Sequence, residues 1–273
     1  MRAVHLSLIP HPSSLIPHPS FLIPPLTTLF ELENASVAFA NVQALSAVTL
    51  RVSAGERIAL VGPSGAGKST LLALLNGSLR PTSGQVRVLG QNMAALNPRQ
   101  RQQVQRQIGT VYQQFHLVGN LQVIHNVNAG HLGQWSFAQA AWSLIRPLER
   151  EAALHALQAV GIPEKINART DTLSGGQQQR VAIARVLAQN PVAILADEPI
   201  SSIDPERSRE IMDLLRDLCQ RLNKTLVVSL HAIEFARSHV DRIIGLREGR
   251  VMFDAPPSQV SPAMLDALYK IAA

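Results

Sequence analysis

The 273-residue sequence has one cysteine, Cys219, which excludes an internal disulfide and fits a reducing compartment. Charge is scarce as well: Asp, Glu, Lys and Arg make up 16% of the chain, against about 25% in an average globular protein. No apolar run reaches the ~18 residues that a membrane-crossing helix needs, although hydrophobic residues make up 46% of the chain. Heptad repeats are missing too, so a long coiled coil is excluded. The charge that is present leans positive, to a net +6, which suits nucleic acid, anionic lipid or a phosphorylated ligand without choosing among them. At roughly 150 residues per domain, the length allows one or two domains with an ample core. Cys219 continues a helical stripe with Ile211, Leu214, Leu215, Leu218 and Leu222, so it reads as core packing rather than as a nucleophile.

The N-terminus is repetitive. Residues 7 to 27 read SLIPHPS, SLIPHPS, FLIPPLT, and their six prolines remove amide donors, fix φ and favour extended, polyproline-like chain. Arg2 before an apolar stretch suggests a signal peptide, but proline and histidine interrupt the stretch repeatedly and no A-x-A site follows. Residues 1–28 are therefore expected to be a disordered extension, with the folded part running over 29–273.

Two local patterns carry chemistry. In ERIALVGPSGAGKSTLLALLNG an apolar strand, 57–61, leads into a glycine-rich turn and then a helix, and Gly62, Gly67, Lys68 and Ser69 satisfy G-x-x-x-x-G-K-[ST]. Such a loop, Gly62, Pro63, Ser64, Gly65, Ala66, Gly67, curls its amides around phosphate oxygens while the helix start adds its positive dipole end. Lys68 is placed to reach the β- and γ-oxygens, and Ser69, followed by Thr70, offers a hydroxyl to Mg²⁺. The second pattern is VAILADEP, 192–199, an apolar buried-strand run ending in Asp197 and Glu198. Neighbouring residues at a strand end diverge, so Asp197 can face a metal while Glu198 faces the γ-phosphate and its attacking water.

A third stretch, LSGGQQQR at 173–180, opens another helix with two glycines behind a serine and resembles a second phosphate-gripping helix start. With LSGGQ lying shortly before the acidic strand, residues 29 to 271 resemble the nucleotide-binding subunits of ATP-binding cassette (ABC) transporters. That resemblance implies an α/β P-loop NTPase fold: a RecA-like parallel-sheet core, an antiparallel β-layer over about 30–54 and 84–90, and a helical subdomain over about 115–185. It implies ATP and Mg²⁺ as cofactors. It also implies that Ser174, Gly175, Gly176 and Gln177 bind nucleotide, that Gln113 of VYQQF touches Mg²⁺ and water beside the membrane partner, and that Asp204 of PISSIDP lies in the D-loop. His231 of VVSLHAIE matches the residue that contacts the γ-phosphate, and Phe39 stands where the family has an adenine-stacking aromatic. PISSIDP departs from the family's wording, which usually has alanine or asparagine before a leucine.

The implied assembly is a homodimer beneath separate integral membrane permease subunits, on the cytoplasmic face of the inner membrane, served indirectly by a solute-binding protein; no nucleic-acid partner is expected. VYQQFHLVGNLQVIHNV, GHLGQWS and the terminal LYKI resemble the phosphonate-import branch. Importers of phosphate, phosphite, amino acids or metal ions stay open, as does an ABC ATPase acting on nucleic acid or ribosomes. A P-loop kinase and a non-hydrolysing regulatory module are the further rivals, disfavoured by LSGGQ and by intact Glu198 and His231 respectively. Trp135 and Trp142, seven residues apart, are expected on one face of a single helix, most simply against the core.

Overall fold

The structure is a computed structural model and describes residues 28–201 and 204–270; the proline repeat lies outside the described residues. In chain order the strands are β1 (Thr28–Phe39), β2 (Val42–Ser53), β3 (Arg57–Val61), β4 (Ser83–Val88), β5 (Gln91–Asn92), β6 (Ile108–Val111), β7 (Ala193–Asp197), β8 (Thr225–Leu230), β9 (Arg242–Arg247) and β10 (Arg250–Ala255). The α-helices are α1 (Lys68–Leu75), α2 (Pro98–Gln105), α3 (Val123–Asn128), α4 (Phe137–Ile145), α5 (Arg150–Ala159), α6 (Gly175–Gln189), α7 (Pro205–Arg221), α8 (Ile233–His239) and α9 (Pro262–Tyr269).

The strands form two sheets. An antiparallel layer has the order β2-β1-β4-β5, and a six-stranded sheet has the order β10-β9-β3-β8-β7-β6. In the second sheet β9, β3, β8, β7 and β6 run parallel, and β10 returns antiparallel. Alternation along its strands feeds two cores. Ile58, Leu60, Leu195, Val227 and Ile244 pack toward α1 and the antiparallel layer, whereas Ala59, Val61, Ile194, Ala196, Val228 and Ile243 pack toward α3, α5, α6, α7 and α8. A sheet covered on both faces needs apolar residues at successive positions, which is why RIALV and AILA read as unbroken runs.

Two expectations about helices are overturned. Trp135 and Trp142 do not share a helix: Ser136 caps α4, its hydroxyl accepting from the Gln139 amide, so Trp135 precedes the helix. It stacks on His131, with ring centroids 5.6 Å apart, and Trp142 is 54% exposed on α4 rather than in the core. The Cys219 stripe holds over Ile211, Leu215 and Leu218, all buried, but Leu222 is the C-cap of α7 and is 48% exposed.

Candidate functional site

The site forms at the carboxyl ends of β3, β7 and β8, where an open parallel sheet leaves its crevice. The loop after β3 requires glycine at two positions. At Gly67, φ is +101° and an added Cβ would stand 2.6 Å from the Ala44 carbonyl oxygen; at Gly62 it would stand 2.0 Å from the carbonyl oxygen of Leu246. Two backbone bonds hold the loop, Ala66 N donating to Pro63 O at 3.1 Å and Gly249 N, from the β9–β10 turn, donating to Ala66 O at 3.1 Å. Gly67 caps α1 without a side-chain hydrogen bond, and no acidic residue occupies the first turn. The opening amides of the helix are thereby left to an anion.

Lys68 is buried, and its Nζ donates to Gly62 O at 2.8 Å and Pro63 O at 3.1 Å. Burial pushes its pKa below the ordinary lysine value, opposed by the charges of Glu198 and Asp197. An ammonium has three donors, so one remains for a phosphate oxygen. Ser64 and Gly65 are exposed at the loop tip, and Ser69 and Thr70 follow on α1.

Asp197 closes β7 and reaches across to both neighbouring elements. Its Oδ1 accepts from Ser69 Oγ at 3.1 Å and from Ser229 Oγ at 2.7 Å. Glu198, the next residue, leaves the strand at φ +48°, a left-handed conformation that costs a non-glycine residue about 1–3 kcal/mol and recurs at functional sites. The turn aims its carboxylate at His231, whose Nε2 is 2.6 Å from Glu198 Oε1. The divergence expected of Asp197 and Glu198 is thus present: one faces Ser69 and the loop, the other faces the histidine after β8.

Four anticipated residues stand apart from this cluster. Gln113 lies in the exposed segment after β6 and makes no hydrogen bond among the described residues. Phe39 ends β1 and is 50% exposed, so its ring is not part of the core. Asp204 caps α7, accepting from Arg207 N at 3.0 Å. Ser174 caps α6 in a reciprocal box, its Oγ accepting from Gln177 N at 3.3 Å while Gln177 Oε1 accepts from Ser174 N at 3.1 Å. The amide oxygen of Gln177 is therefore engaged within its own helix, whereas the Ser174 hydroxyl keeps its proton to donate. Apart from the chain neighbours and the helix's own backbone, no described residue lies within 4 Å of where a Cβ on Gly175 or Gly176 would stand, so packing among the described residues does not demand those glycines.

Two residues that sequence reasoning passed over tie the pieces together. Ser229, fully buried on β8, bridges Asp197 and the Glu198 amide, the latter donating to Ser229 Oγ at 2.8 Å. Gln179, fully buried on α6, donates to the carbonyl oxygen of Pro199 and so links the LSGGQ helix to the turn after β7. Ser229 has one sequence signal, a polar residue inside an apolar run, whereas Gln179 lies in the polar stretch GGQQQR and has none.

Residues 45–201 match the family model described as ABC transporter. A protein of Pseudomonas fluorescens (strain Pf0-1) named phosphonates import ATP-binding protein PhnC is 47% identical over 84% of this chain and 86% of its own. Its namesake in Thiobacillus denitrificans is 45% identical over 84% and 87%. Among solved structures, the dimeric post-hydrolysis state of the ATP-binding cassette MJ0796 bound to ADP and Pi superposes with a TM-score of 0.70 at 34% identity, covering 84% of this chain and 98% of that one. The cbiO1 protein of Clostridium perfringens, part of the ABC transporter complex cbiONQ, superposes at 0.75 with 28% identity, over 85% and 90%. With its phosphate loop, acidic strand end and LSGGQ helix in one fold, the chain belongs to the ABC transporter family as an ATP-binding, ATP-hydrolysing protein.

Proposed function

We propose that this ATPase powers an importer of phosphonates or closely related phosphorus oxyanions, working as a two-fold dimer beneath separate permease subunits at the inner face of the membrane. The observation that carries the cargo is the 47% identity, across 84% of the chain, to a protein named for phosphonate import.

The chemistry follows from the residues at the sheet's edge. Ser69 Oγ and Asp197 Oδ1, two hard oxygen donors, stand 3.1 Å apart at the loop's mouth, and no group of three or more His, Cys, Asp or Glu able to hold a metal occurs among the described residues. So sparse a donor set fits Mg²⁺, which takes one or two protein ligands and keeps water and substrate oxygens. Bound there, the ion would neutralise charge on the β- and γ-phosphate oxygens. Lys68 and the amides at the start of α1 bind the same phosphates. Glu198 orients the attacking water and accepts its proton as the bond to ADP breaks, and His231 holds the Glu198 carboxylate and faces the γ-phosphate. Phe39 provides an exposed aromatic face for adenine.

The LSGGQ helix serves the other copy. Gly175 and Gly176 border open space and Ser174 keeps a donor, which suits a phosphate arriving from outside the chain, and the 34%-identical MJ0796 cassette is dimeric. For the permease, a groove of about 420 Å³ beside the Gln113 segment, lined in part by Thr110, Tyr112, His116 and Arg185, is the docking place we favour.

The test is solute uptake by cells carrying this chain or its Glu198→Gln variant together with the permease. Methylphosphonate uptake that depends on Glu198 supports the reading. Uptake that is equal in both strains, or co-purification with ribosomes and not with a membrane protein, rejects it.

A further inference from the structure

We infer that Ser229 is a positioning residue for ATP hydrolysis: its buried hydroxyl sets the carboxylate of Asp197 and the backbone of Glu198 together. The inference rests on the proposed roles of those two acids.

Ser229 is the register partner of Asp197 on β7 and of Leu60 on β3, so it sits between the strand that ends in the acids and the strand that feeds the phosphate loop. Every residue of β8 is buried, and at this position an apolar side chain would satisfy the strand pattern. The hydroxyl instead has a complete and directional set of partners. It donates its one proton to Asp197 Oδ1 at 2.7 Å and accepts from the Glu198 amide at 2.8 Å.

Each bond does something specific. Oδ1 of Asp197 also takes the Ser69 hydroxyl, so two donors, one from α1 and one from β8, fix the carboxylate's rotation beside the proposed ion site. The second bond holds Glu198 at the residue whose φ is +48°. A left-handed turn at a glutamate persists where its surroundings over-determine it, and the amide that Ser229 captures belongs to that residue. One hydroxyl therefore couples the direction of the metal carboxylate to the direction of the base.

The experiment compares Ser229→Ala, Ser229→Thr and Ser229→Val with the full-length protein, using four readouts. They are affinity for a fluorescent ATP analogue in EDTA, the Mg²⁺ concentration giving half-maximal phosphate release, kcat against KM, and melting temperature. Ser229→Ala and Ser229→Val should keep the EDTA affinity, because the loop and Lys68 are untouched, while kcat falls about tenfold or more and the half-maximal Mg²⁺ concentration rises several-fold. Ser229→Thr, which keeps the hydroxyl, should recover most of both. Wild-type kcat and Mg²⁺ dependence in Ser229→Ala would overturn the inference. So would a parallel loss of EDTA affinity and melting temperature in all three variants, which would make Ser229 a packing residue. Glu198→Gln, assayed alongside, keeps the underlying reading separate: normal turnover there would reject Glu198 as the base whatever Ser229 does.

Discussion

The imidazole Nε2 of His231 and Oε1 of Glu198 are 2.6 Å apart, so the carboxylate we propose as the base is already held by the histidine that follows β8. Replacing Glu198 by Gln keeps the shape and the contact but removes the proton acceptor. We expect the variant to bind MgATP normally and to release phosphate roughly 10²- to 10⁴-fold more slowly in a steady-state assay. Near-normal turnover would place the base elsewhere.

Shared sites predict a complementation pattern. Lys68→Ala and Ser174→Arg should each be nearly inactive, because every site in either homodimer contains one damaged half. In an equal mixture about half the dimers are mixed, and each mixed dimer has one site with neither defect, so roughly a quarter of all sites are intact by symmetry counting. Phosphate release should recover toward that fraction, or below it if both sites must fire together. No recovery, with differently tagged heterodimers plainly present, would mean that the LSGGQ helix serves its own chain.

Gly176 separates stability from activity. It lies in the first turn of α6, where beyond the local backbone no described residue comes within 4 Å of an added Cβ, so Gly176→Ala should leave the fold intact and raise its stability by up to about 1 kcal/mol. ATP turnover should nevertheless fall, because the methyl group occupies space that a partner's phosphate needs. Thermal melting and phosphate release measured on one preparation check both halves; an unchanged turnover would remove the reason for the glycine.

Cys219 gives a pH-dependent prediction. Burial pushes its thiol up to about 12, against the pull of Arg57 and Lys224, whereas an unfolded cysteine titrates near 8.5. The folded state therefore keeps its proton longer than the unfolded one. Its stabilising contribution is complete below about pH 8.5 and is lost progressively as pH rises toward 12. An aromatic disulfide reagent at pH 8 should leave the native protein unlabelled and label it once it is unfolded; fast labelling of native protein would show an accessible thiolate.

Much of this site is legible in the sequence because its parts are local. The loop after β3 is specified by glycines within eight residues, and the pair at 197–198 by the end of one apolar run. The residues that escaped are those whose role depends on a partner distant in sequence. Ser229 matters through Asp197 and Gln179 through Pro199, and neither pairing leaves a spacing to read. Trp135 was misplaced for a local reason: Ser136 and Gln139 form a capping box that starts the helix one residue later, and hydrophobic periodicity alone did not register it. Leu222 fits the stripe by count, but the helix ends before it can face inward.

The place of β3 in the sheet has a consequence for how the protein is made. Its neighbours on both sides, β8 and β9, come from the last quarter of the chain, and Arg57, its first residue, pairs with Asp241, 184 residues later. During synthesis the phosphate loop emerges early, yet the strands that flank it and the glycine that braces Ala66 emerge near the end. A ribosome-bound chain therefore carries the loop's sequence long before it can grip ATP, and loop closure over such separations is slow. On this topology nucleotide is expected to stabilise only a chain that is nearly complete, because ligand binding stabilises the state that binds it.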